Sequence, residues 1–246
     1  MSNIFKIIGC VIFIGAPQIC TAELNERLNW GVFALYEHAS DRININNVST
    51  RYGIGTVGLE VYSDLIPDLL KPFVRYGLGY HPNYTLKSFG TEFSGPVNGN
   101  LTEYGFNLET SRYLVNGSSF SLKKYDRRIF SDSLSGKRGN VLFTTTTNAA
   151  MTGTEYKFTQ ELYSGGDNAF GVFIGTNSWK LSASGTAYSS DLTVVKKVTG
   201  HNSDPFWGVN IETRIFEKPI IFGFTHRTIT ADNKLETLEL FSSITF

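Results

Sequence analysis

After residue 27, apolar and polar side chains alternate with a period of two along most of the chain. Pro205 to Phe216 is the clearest stretch. Trp207, Val209, Ile211, Thr213 and Ile215 fall on one side, and Gly208, Asn210, Glu212, Arg214 and Phe216 on the other. Successive side chains of a strand point to opposite faces, so this spacing predicts a strand with one apolar and one polar face. Glu217-Lys218 makes a short turn, and Ile220, Phe222 and Phe224 then oppose Ile221, Gly223, Thr225 and Arg227. The pattern recurs upstream. Trp30, Val32, Ala34 and Tyr36 oppose Gly31 and Glu37; Val74, Tyr76, Leu78 and Tyr80 oppose Arg75, Gly77 and Gly79. Tyr104, Phe106 and Leu108 oppose Glu103, Gly105 and Glu109, and Tyr156 and Phe158 oppose Glu155, Lys157 and Glu161.

Ten strands follow, near 28–38, 50–62, 72–82, 101–114, 118–128, 152–163, 169–177, 205–216, 219–229 and 235–246. Three glycines in Arg51 to Tyr62 point to a bulge or a close approach of backbones. The connections alternate in length. Those near 64–70, 115–117, 164–168 and 217–218 are short, and those near 39–49, 83–100, 129–151 and 178–204 are long. Gly165-Gly166-Asp167-Asn168 reads as a tight turn. Val141–Thr147 and Trp179–Val198 read either as extensions of neighbouring strands or as an extra hairpin, which makes twelve the alternative strand number.

Composition narrows the class. Hydrophobic residues are 41%, an ordinary soluble value, so a bundle of membrane helices is not suggested. The 19 Phe, 12 Tyr and 24 Gly suit pleated surfaces and tight turns. The formal net charge is zero and no basic stripe is present, so nucleic acid is not an expected partner. Residues 1–22 have the layout of an export signal: Lys6, an apolar run from Ile7 to Ala16, and small residues around Cys20-Thr21-Ala22. The expected organisation is a signal peptide, 1–22, and one β domain, 23–246. Both cysteines, Cys10 and Cys20, fall in the removed segment. The mature chain then has no disulfide, thiolate metal site or Cys nucleophile, and no metal or cofactor is expected.

The last predicted strand carries a resemblance. Leu238, Leu240, Ser242, Ile244 and Phe246 alternate. This resembles the C-terminal assembly signal of Gram-negative outer-membrane proteins, a terminal Phe preceded by apolar residues at every second position. Ser242 and Ile244 depart from it, since an apolar and an aromatic residue are commoner there. The resemblance implies an all-β, antiparallel transmembrane β-barrel of about ten strands in the bacterial outer membrane. It implies short periplasmic turns, long extracellular loops and both chain ends at the periplasm. Lipid bilayer, lipopolysaccharide and the barrel-assembly machinery are the implied partners. A soluble β-sandwich is the competing fold. Aromatics at strand ends and ionisable residues on the second face of most strands favour the barrel, where those charges meet a polar lumen.

The inward face is the main source of candidate chemistry. Arg75, Glu103, Glu109, Lys157, Glu212, Arg214 and Arg227 are expected to face the lumen. Their mixed signs either cross-link and close it or, with the inward glycines, leave a groove for a small solute. Two functions follow: a narrow, porin-like channel, or a surface-exposed receptor or adhesin acting on an extracellular ligand through long loops. A lipid hydrolase is a third reading. His38-Ala39-Ser40-Asp41 comes near the His-x-Ser-Asn motif of outer-membrane lipases, making His38 a candidate base and Ser40 a candidate nucleophile. The Asp-x-Asp pair of omptin-like proteases does not occur, and no Asp stands two residues before a His. His38, His81, His201 and His226 all fall toward the long-loop end of this topology, where Asp41 and Asp232 could join them.

Overall fold

Period-two sequence folds here into strand after strand, each hydrogen-bonded to the next. The computed structural model describes residues 28–39, 43–45, 48–51, 53–66, 69–88, 90–110, 117–138, 141–190, 192–215, 218–230 and 233–244. The expected signal peptide, Ser40, Asp41, Asp232 and Phe246 lie outside them. The strands are β1 (Leu28–Ala39), β2 (Ile43–Ile45), β3 (Val48–Arg51), β4 (Gly53–Ser63), β5 (Leu70–Ser88) and β6 (Thr91–Glu109). They continue with β7 (Ser118–Arg138), β8 (Val141–Gly165), β9 (Asn168–Tyr188), β10 (Thr193–Ile215), β11 (Lys218–Thr230) and β12 (Asn233–Ile244).

All pairings are antiparallel, and β1 closes the sheet. It pairs with β4 on one side, Leu28 opposite Ser63, and with β12 on the other, Trp30 opposite Ile244 and Ala39 opposite Leu235. Closure removes the open edge within the barrel, where each stave pairs on both sides. Ten staves form the barrel: β1, β4 and β5 through β12. The short hairpin β2–β3 stands at its rim, where Ser49 of β3 pairs with Lys87 of β5. The barrel is thus ten-stranded, and twelve arises only by counting that hairpin.

Alternation decides which way each side chain points. Trp30, Val57, Leu59, Tyr76, Leu78, Ile174, Trp207, Phe222 and Leu238 are exposed on the outside and form an apolar belt. Phe33, Leu35, Glu37, Thr56, Glu60, Phe73, Leu101, Glu103, Tyr125, Phe173, Asn177 and Phe206 are buried inside. Phe33, Leu35 and Leu101 pack together, with Ile129 and Phe241 against them. The glycines of β4 and β5 mark close backbone approach. A Cβ on Gly58 would lie 2.2 Å from the Tyr76 carbonyl and 2.8 Å from the Phe33 ring. Gly166, with φ of +58°, occupies the left-handed corner of the β8–β9 turn.

The segments 83–100, 129–151 and 178–204 are not loops. They are strand on both sides of narrow turns, and they carry β5 to β10 well past the rim. Phe206 of β10 faces Arg227, three residues before β11 ends at Thr230, yet β10 reaches back to Thr193. A six-stranded wall therefore rises from one side of the barrel. Its register shifts lie between His81 and Tyr84, Phe93 and Gly99, and Ser131 and Leu134, near where the strands leave the barrel. Such bulges bend strands and sharpen their twist. The wall folds over, so Leu86 of β5, Phe93 and Val97 of β6, Leu134 of β7 and Ala187 of β9 share one buried cluster, packed by Tyr84 and Phe143.

Candidate functional site

The lumen is crossed by a ladder of alternating charge. Glu60 of β4 stands opposite Arg75 of β5, Arg75 opposite Glu103 of β6, and Glu103 opposite Arg127 of β7. Four consecutive strands thus place acid, base, acid and base side by side on the inner face. Register alone brings them within reach. Arg75 Nε donates to Glu60, and Arg127 Nε donates to Glu103 at 2.5 Å. Lys123, on the same face of β7, donates to the other Glu103 oxygen at 2.6 Å.

Further bonds span the bore. Arg127 Nη1 reaches Glu37 of β1 at 3.0 Å, and Arg75 Nη1 reaches Glu239 of β12 at 2.8 Å. Arg227 of β11 meets Glu155 of β8 at 3.2 Å. The cations also lie over rings, where the negative π face adds attraction. Arg75 is 5.3 Å from the Phe33 centroid, Lys123 4.9 Å from Phe73, and Arg227 5.5 Å from Phe206. Glu103 is fully buried and accepts from two cations. A carboxylate removed from water is stable there because both oxygens are paired. Nearer the wall, Asn177 donates to Tyr125 Oη at 2.9 Å, and Trp179 Nε1 donates to buried Asp204.

A cavity of about 550 Å³ runs through the lumen beside this charged layer, from Glu109, Ser118 and Glu161 near the short-turn end to Glu37, Phe206 and Arg227. Glu109, Lys157, Glu161 and Glu212 line it, with Lys157 5.4 Å from the Phe173 ring. Asn210 Oδ1 and Arg227 Nε face this space with no protein hydrogen-bond partner. Buried polar atoms of this kind are normally satisfied by water or a polar solute.

Of the residues expected inside, Arg75, Glu103 and Arg227 join the cross-linked layer. Glu109, Lys157 and Glu212 line the cavity, and Arg214 sits exposed near the end of β10. Arg127 is the residue that sequence reading passed over. Its parity with Lys123 and Tyr125 marked it inward, but the doublet Arg127-Arg128 concealed which arginine turns in. Of the histidines, His38 and His81 come together: a Cβ on Gly53 would lie 3.2 Å from His38 Nδ1 and 3.4 Å from His81 Nε2. His38 points outward and stacks on Tyr36 at 6.2 Å; His226 is also outward, 3.7 Å from Glu236. Leu238 and Leu240 face outward on β12, and Ile244 pairs with Trp30 at its end.

A closed ten-stranded antiparallel barrel is the architecture that the resemblance implied, and comparison with solved structures agrees. The translocator domain of the autotransporter NalP from Neisseria meningitidis superposes with a TM-score of 0.56 at 8% identity, over 98% of this chain and 93% of that one. The beta domain of the Bordetella autotransporter BrkA gives 0.52 at 7% identity, over 89% and 100%. The outer-membrane protease OmpT from Escherichia coli gives 0.51 at 8% identity, over 88% and 94%. At these identities the likeness is one of fold. No protein-family model matches the chain, and no curated protein matches it.

Proposed function

We propose that this chain is a bacterial outer-membrane barrel whose lumen is closed and whose folded-over hairpin wall is a surface-exposed binding element. The carrying observation is buried Glu103, held by Lys123 and Arg127 while Arg127 also reaches Glu37 on the far wall. Each bond of that layer that crosses the bore obstructs passage, and the Phe93–Leu134–Ala187 cluster packs the wall beyond the rim. Short turns at one end and long hairpins at the other orient the barrel, with the hairpins outside the cell. The apolar belt faces lipid. Export by residues 1–22 and insertion by the barrel-assembly machinery through Leu238, Leu240, Ile244 and Phe246 belong to the same reading.

Single-channel recording in planar bilayers tests it. The purified, heat-modifiable protein is expected to stay silent under applied voltage. Steady openings of the wild-type chain would reject a closed lumen. They would favour the second reading, a narrow solute channel, whose support is the cavity with Asn210 Oδ1 and Arg227 Nε unpartnered. The His38 and Ser40 hydrolase reading draws no support from the outward, Tyr36-stacked His38.

A further inference from the structure

Ion pairs do not account for every charge in the lumen. Arg75, Arg127 and Arg227 meet Glu239, Glu37 and Glu155, and Lys123 meets Glu103. Glu109 on β6, Glu161 on β8 and Glu212 on β10 also line the cavity, and no cation among the described residues pairs with them. All three lie toward the short-turn end. Glu109 closes β6, Glu161 stands near Gly165, where β8 ends, and Glu212 near Ile215, where β10 ends. Lys157 lines this end too, with its ammonium over the Phe173 ring. Three carboxylates against one ammonium leave this part of the cavity negative.

One inward row crosses five strands here. Glu161 stands opposite Gly171 of β9, Gly171 opposite Asn210 of β10, Asn210 opposite Gly223 of β11, and Gly223 opposite Glu239 of β12. The two glycines act differently. A Cβ on Gly171 would lie 2.6 Å from Asn210 Oδ1, so the missing side chain gives that amide its room. A Cβ on Gly223 would meet nothing nearer than 3.9 Å, so the space over Gly223 is open. Asn210 Oδ1 is buried beside that space and receives no hydrogen bond. A buried acceptor without a donor is costly, and is ordinarily met by water or by a ligand N–H. Glu212, two residues further along β10, turns to the same face. The cavity thus offers acceptors, most of them charged, around an open floor.

We propose that this end of the cavity is a binding site for an aliphatic polyamine, an extended organic cation whose ammonium groups are joined by methylene chains. Ammonium N–H groups donate to Asn210 Oδ1 and to the unpaired carboxylates. Methylenes fit against Phe173 and Ile221, and the ring face attracts the ammonium as well. A single metal ion is a poorer occupant, since among the described residues no three acids or histidines stand close enough to hold one. An anion is opposed by the same carboxylates. Arg227 Nε, the other unpartnered atom, belongs to the opposite end of the cavity, where Glu155 balances its charge. The site goes beyond the closed-barrel reading and holds whether or not the lumen passes ions.

Isothermal titration calorimetry of the folded, detergent-solubilised protein with spermidine, alone and against magnesium ion, tests this. Wild type is expected to bind spermidine and to keep it when magnesium is present at equal concentration. Glu161→Gln/Glu212→Gln is expected to bind about tenfold or more weakly. Gly223→Leu keeps every charge but fills the open floor, and is expected to abolish binding. Glu236→Gln removes an outward acid beside His226 and should bind as wild type does. Unboiled gel mobility verifies that each protein is folded. Absence of spermidine binding by wild type would overturn the site, as would wild-type affinity in the Gln variant or in Gly223→Leu. Displacement by equimolar magnesium would give the acids to a metal ion instead. Equal weakening by Glu236→Gln would reduce the effect to general surface charge. Bilayer conductance, silent or open, does not enter these outcomes, so they stand apart from the test of the closed lumen.

Discussion

Glu103 and Arg127 stand directly opposite one another on β6 and β7, 2.5 Å apart, and Arg127 extends from there to Glu37 on β1. The carboxylate is thus the hinge of a network joining neighbouring staves to the opposite wall. Removing one member of a buried ionic set strands the others, which costs more than the set contributes as a whole.

Glu103→Ala should therefore destabilise the barrel by about 3 kcal/mol, because Lys123 and Arg127 lose the buried carboxylate they share. Urea titration of the heat-modifiable band measures it. Adding Lys123→Met to that variant should recover part of the loss. A double variant no more stable than the single one would mean that the network is not coupled as drawn.

Two glycines separate steric need from conformational need. A Cβ on Gly105 would lie 1.9 Å from the Lys124 carbonyl, so Gly105→Ala must push β6 and β7 apart. Loss of about 2 kcal/mol or more, or failure to form the heat-modifiable band, is expected. Gly166→Ala meets nothing within 4 Å but holds φ at +58°. It should cost only about 1 kcal/mol of backbone strain, with the band retained.

Phe93 is almost completely buried where the wall folds over. Phe93→Ala should cost the wall about 3 kcal/mol while leaving the ten staves intact. Limited proteolysis of whole cells would then cut within the hairpins of β5 to β10. Unchanged protection would show that the wall is not held by this cluster.

His81 lies just beyond Tyr80, the last aromatic of the β5 belt, and accepts a hydrogen bond from the Asn83 backbone N–H at 3.0 Å. Burial, then the neighbouring His38, holds its imidazole below the usual histidine value. A base with a depressed folded pKa adds nothing above its unfolded value, where both states are neutral. Below that value the unfolded chain takes the proton more readily, so stability falls as pH drops through the ordinary histidine range. The urea midpoint should decrease between about pH 8 and about pH 5, and His81→Gln should flatten that slope. A variant with the wild-type slope would place the dependence elsewhere.

Alternation in the sequence was enough to place all ten staves, because a closed sheet between lipid and lumen sorts side chains with period two wherever it runs. The same parity placed Arg75, Glu103 and Arg227 on the inner face. Three matters waited for the tertiary structure. The segment 83–100 looks like a loop, since Pro82, Gly90, Gly95 and Pro96 interrupt it, and within 129–151 Val141–Thr147 reads equally as a strand extension or an extra hairpin. Both are strand: each folds on itself as a hairpin, Tyr84 opposite Gly95 and Arg138 opposite Val141, and each also pairs with a neighbour distant in sequence, Phe93 opposite Gly136 and Thr144 opposite Tyr188, contacts that no local pattern encodes. Which acid meets which base depended on register, since shifting one strand by a single residue turns its charges to the opposite face. The climb of an outward row from Val61 near the end of β4 to His201 far up β10 arises only from the tilt of the closed barrel. Period two tells the chain which side of the wall a residue takes; closure and tilt decide at what height and beside whom.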